Sequence, residues 1–127
     1  MYAKRHRVTV TTDGSGNYTG YTEVVTGYVL QVTYTPDGTS PLDTNADLDI
    51  TGEDSGTVIA NHDNIGTSAF TRAYRQATHD TLGAASLYAA GGEPVEDKIC
   101  VANERIKLVI ANGAGAKAGI FDIYVGG

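Results

Sequence analysis

What most constrains this chain is the alternation of apolar and polar residues in short runs, each closed by turn-forming residues. Val8-Thr9-Val10-Thr11 alternates in this way, the pattern of a strand with one buried face. Asp13-Gly14-Ser15-Gly16-Asn17 follows as an unbroken block of turn formers. Residues 18–26 read as a second strand interrupted near Gly20, and Gly27 leads into residues 28–35, where Leu30, Val32 and Tyr34 share one side. Pro36-Asp37-Gly38 is a turn: proline presets φ and glycine supplies the freedom to leave. Residues 47–51 and 57–60, separated by a turn cluster, read as a hairpin. In the last third, residues 98–102 form a strand, Asn103-Glu104 turns the chain, and Ile106, Leu108 and Ile110 mark one face of the next. Phe121, Ile123 and Val125 then alternate with Asp122 and Tyr124, so the last two strands read as an antiparallel hairpin across the Gly/Ala-rich residues 112–119.

Strands of this length, with turns about every 8–12 residues, are the signature of a sandwich or barrel. The expected fold class is all-β: an antiparallel β-sandwich or jelly-roll-like barrel of about seven or eight short strands. Its 127 residues suit a single domain over 1–127. Residues 61–95 carry no clean period. Within them, residues 80–90 turn to Leu, Ala and Tyr between Asp80 and Gly91-Gly92, which leaves a short helix or a strand open. The basic run Lys4-Arg5-His6-Arg7 makes residues 1–7 an extended N-terminal arm.

The formal net charge of −6 speaks against a nucleic-acid binder, which needs a basic surface. No segment approaches the ~20 apolar residues of a membrane-spanning helix, so no membrane partner is expected. Cys100 is the single cysteine, which excludes an internal disulfide, and its place in an apolar strand suits a small buried hydrophobe.

Each candidate for chemistry lacks a part. Asp43, Asn45 and Asp47 have the alternate spacing of a calcium loop, but Leu48 stands where that loop needs glycine and Asp54 where it needs a bidentate Glu. The pairs His62-Asp63 and His79-Asp80 resemble metal ligands without a helical scaffold to gather them. Gly113-Ala114-Gly115-Ala116-Lys117 is followed by Ala118 and a strand, not by the hydroxyl residue and helix of a phosphate loop. No nucleophile elbow is present. No catalytic residue, cofactor or resident metal is therefore expected. Interface residues are expected instead at Lys4, Arg5 and Arg7 and at the strand tyrosines Tyr28 and Tyr124, since tyrosine brings apolar area with a polar tip.

The run at Val8-Thr9-Val10-Thr11, the segment DTNADLDITGEDSG over residues 43–56 and the ending ERIKLVI over residues 104–110 resemble small virion proteins of tailed bacteriophages, above all the capsid decoration, or cement, proteins. The resemblance implies a β-sandwich-like subunit, trimeric, seated on an icosahedral shell of major capsid protein and clamping neighbouring capsomers. It places the protein on the virion surface after synthesis in the host cytoplasm. The alternatives are a carbohydrate- or ligand-binding β-sandwich module and another phage component such as a tail or head-fibre protein.

Overall fold

A computed structural model describes residues 2–127. Eight strands form one sheet: β1 (Ala3–Thr11), β2 (Tyr18–Pro36), β3 (Asp47–Gly52), β4 (Val58–His62), β5 (Phe70–Arg72), β6 (Arg75–Ala77), β7 (Glu96–Ala111) and β8 (Ala118–Gly126). Every pairing between strands is antiparallel, and no helix occurs among the described residues. The strand order is β1-β8-β2-β7-β3-β4, with β5 on β2 and β6 on β7. The chain is all-β, with an architecture of sandwich or barrel-like kind.

The order interleaves two pairs of sequence neighbours. β8 lies between β1 and β2, and β2 lies between β8 and β7. The expected hairpin of the last two strands therefore does not form. Its connector crosses β2 instead, held at its base by Thr12. The Thr12 hydroxyl donates to the Ala114 carbonyl at 2.6 Å and accepts the Lys117 N–H at 2.9 Å. Asn112, Ala114 and Ala116 take positive φ in that loop.

β2 and β7 are longer than the alternation alone shows. β2 pairs with β7 from Tyr18 to Val29 and with β8 from Tyr28 to Pro36, so one strand serves two neighbours in succession. Gly27 sits at the handover beside a register shift, with φ of 143° and room for no Cβ, which would lie 2.8 Å from the Gly126 carbonyl. Asn103-Glu104 does not turn the chain: Asn103 takes φ of 52° as a kink and β7 runs on. Glu104 is buried there because the β3–β4 turn supplies donors. Its carboxylate accepts the backbone N–H groups of Asp54 and Ser55, both at 3.0 Å, and the Ser55 hydroxyl. These bonds favour the ionised form and hold its pKa below the ordinary carboxylate value. The hairpin of β3 and β4 forms as the sequence indicates.

One apolar cluster joins Val8 and Val10 of β1, at one end of the order, with Ile59 and Ala60 of β4 at the other. The sheet thus wraps around its own apolar face. At the centre, Phe121 stacks on Tyr34 with ring centroids 4.7 Å apart, and the Tyr34 hydroxyl accepts the Leu42 N–H.

Two further readings are settled. The basic run is no loose arm, because Ala3 to Arg7 pair in register with Gly126 to Asp122 as the first half of β1. Residues 80–90, open between a short helix and a strand, form neither: they run as turns with isolated bridges at Ala85 and Leu87. They belong to an extension, residues 73–98, in which β6 pairs with the start of β7 and the rest is held by local hydrogen bonds, most of them between backbone groups. Thr78 N–H donates to Val95 O, Ser86 N–H to Thr78 O, and Val95 N–H to Ser86 O. Asp80 closes its own turn by accepting the N–H groups of Leu82 and Ala84. No residue between Ile65 and Ile99 is buried.

Candidate interaction face

Because side chains on paired strands share a face, the registers of β1, β8, β2 and β5 define rows on the side turned away from the core. One row is Arg5–Tyr124–Gln31, the next Arg7–Asp122–Thr33–Thr71, and the third Thr9–Ile120–Thr35. Tyr28 extends this face beyond Gly126 toward Cys100, with the Lys98 ammonium 6.0 Å from its ring.

The middle of this side holds a fixed ion pair. Asp122 is only 5% exposed although it points away from the core. The Arg7 guanidinium spans it with two bonds, from Nε at 2.9 Å and Nη2 at 3.1 Å. The pair is a fixed centre around which Arg5, Tyr124, Gln31 and the threonines present donors, acceptors and one aromatic ring.

Of the expected interface residues, Arg5, Arg7, Tyr28 and Tyr124 are brought to this one face. Lys4 is not, since it alternates to the opposite side, where its ammonium lies 3.6 Å from Glu23. Asp122 was missed by sequence reasoning. Its signal was a lone carboxylate between Phe121 and Ile123 in an apolar strand. Cys100 is exposed, not buried, because Ile99 and Val101 take the inward positions.

The other candidates are occupied locally. Asp43 accepts the N–H of Asn45, and the Asp47 carboxylate accepts Asn64 N–H on one oxygen and Asn112 Nδ2 on the other. His62 ends β4 and stacks on Phe70, whereas His79 lies in the extension. Among the described residues, no three His, Cys, Asp or Glu side chains converge as a metal site.

No protein-family model matches the chain, and no curated protein matches it. Among solved structures it is similar to the one titled "Crystal Structure of FLHE", at 8% identity over 97% of this chain and 96% of that one, with a TM-score of 0.38. That likeness is too loose to define a shared fold.

Proposed function

We propose that this protein is a virion structural protein of a tailed phage, a capsid decoration protein that seats on the shell as a homo-oligomer and stabilises it. The observation that carries the reading is the outward face of β1-β8-β2-β5. It is broad, strand-built and pinned at its centre, and its arginines, threonines and tyrosines suit a repeated protein surface. A decoration protein works by adding contacts across neighbouring capsomers, so its chemistry is an interface and its rigidity is the useful property. The resemblance in residues 43–56 and 104–110 supports the same reading.

The test is co-sedimentation with assembled shells of a tailed-phage major capsid protein. Saturable binding at a fixed ratio, together with a raised temperature of shell disruption, is the expected result. Arg5→Glu with Tyr124→Ala weakens binding by about tenfold or more, since a like charge and a lost aromatic anchor both fall within the contact. Shells that take up none of the wild-type chain would remove the reading.

A further inference from the structure

β1 and the first half of β2 are neighbours in sequence, joined by the turn at residues 12–17, yet they share no ladder. β1 pairs with β8, and the first half of β2 pairs with β7. Between them runs a seam without backbone bonds, opening into a groove lined by Lys4, His6, Val24, Val25 and Val125.

A bulge sends one side chain across the seam. The β2–β7 register breaks between Tyr21 and Val24, which takes Thr22 and Glu23 out of the ladder. Thr22 turns inward, where its hydroxyl accepts the Ile106 N–H at 3.0 Å and donates to the Glu23 carbonyl at 2.7 Å. Glu23 reaches the other way, to β1. Its Oε1 lies 2.7 Å from His6 Nδ1 and 3.6 Å from the Lys4 ammonium. Among the described residues, no other hydrogen bond or ion pair joins β1 to β2.

The partners of this carboxylate differ in what they need. Lys4 is well exposed and keeps its water if the carboxylate goes. The His6 side chain is only 6% exposed, on the inward side of β1 with Val8 and Val10, whereas Glu23 is open to solvent protons at 58%. No second anion stands by. Across from Lys4 and His6, β8 offers Val125 and Ile123, and Tyr2 is the one further titratable side chain lining the groove. On β7, Arg105 is held by Glu53 and lies over the Tyr21 ring. The Glu23 backbone N–H and the His6 ring hold the carboxyl below its ordinary pKa.

We infer that Glu23 is an acid-sensitive latch, which closes β1 onto β2 while ionised and frees the first half of β1 when protonated. In acid the two bases keep their charges and the carboxylate loses its own. Lys4 and His6, two positions apart on one face, are then like charges with an imidazolium inside and no anion between them. A carboxyl whose folded pKa is depressed stabilises above its unfolded pKa, and that contribution is lost as pH falls through the folded value. The seam is thus closed at neutral pH and open in acid. The latch needs neither a shell nor a second copy, so it stands or falls apart from the decoration reading.

Amide exchange on the purified chain, followed by NMR, tests it. Thr12 N–H donates to Lys117 O and Gly127 N–H to Tyr2 O, so the even-numbered residues of β1 bond β8, and the Lys4 and His6 amides report its hold. Their exchange is taken relative to that of Ile106 and Leu108 at each pH, which cancels the intrinsic effect of acid. In the wild type, relative protection falls by about tenfold or more, in step with the Glu23 carboxyl titration. Glu23→Gln opens already at about pH 5, where free imidazoles are charged. His6→Phe, neutral and apolar, stays closed throughout. Protection that persists through the carboxyl titration, a Glu23→Gln chain that follows the wild type, or a His6→Phe chain that opens in acid would each overturn the inference. If circular dichroism shows a variant unfolded, the wild-type titration decides alone: a loss out of step with the Glu23 carboxyl overturns the latch.

Discussion

The interleaved sheet and the extension of residues 73–98, an arm beyond it, are both built of antiparallel backbone bonds, yet they are held by different forces. In the sheet, each strand buries alternate side chains in one cluster, and the rows of β1, β8 and β2 close over Phe121, Ile123 and Tyr34. In the arm the same kind of bonding runs from Thr78 to Val95 with no buried side chain beneath it. Hydrogen bonds exchanged with water add little net stability, whereas apolar burial adds about 1.5–3 kcal/mol for each large side chain. The sheet is therefore a scaffold with its own core, and the arm is a shape held by local hydrogen bonds without one.

The largest effect that would sharpen this contrast is in the core. Phe121→Ala removes a ring with 0% exposure that stacks on Tyr34. The expected cost is about 3–5 kcal/mol, read from the urea midpoint of unfolding. A loss below about 1 kcal/mol would mean that the cluster is loosely packed and that the sheet is no firmer than the arm.

The sheet's strands were legible because period two is a local signal: Val8 and Val10, Ile106 and Leu108, Phe121 and Ile123 each declare a face within a few residues. Their neighbours were not. Residues 105–111 and 121–125 are close in sequence and read as partners, but β2 intervenes, and nothing local in either strand specifies a third strand between them. The arm was illegible for the opposite reason. Residues 61–95 lacked a period because, beyond Ile65, only Phe70 and Tyr74 pack against the core and neither is fully buried, so no continuous face had to be specified. On the interaction face, Arg5, Arg7 and Tyr124 could be proposed from residue type, but their gathering depends on the β1–β8 register. Lys4 shows the limit: one position along the same strand, it faces the other way.

A smaller effect tests what enforces the interleaving. Thr12 is 5% exposed, and its hydroxyl is the common partner of Ala114 and Lys117 at the base of the β7–β8 connector. Thr12→Val keeps the shape and removes the hydroxyl, leaving that carbonyl and N–H without it. We expect a loss of about 1–3 kcal/mol in urea unfolding. Amides of the connector should also gain exchange with solvent before those of Ile106 and Leu108. Uniform loosening of all three sites would place the pin elsewhere.

The smallest effect is expected where the contrast is sharpest. Leu82→Ser replaces the most exposed large apolar side chain of the arm. Nothing in the folded chain covers Leu82, so the unfolding free energy should move by no more than about 0.5 kcal/mol. The arm amides of Ser86 and Val95 should exchange far faster than those of the core strands, since opening the arm exposes no buried surface. A cost above about 2 kcal/mol would show that the arm folds cooperatively with the sheet and packs within its own chain. The distinction between scaffold and arm would then fail.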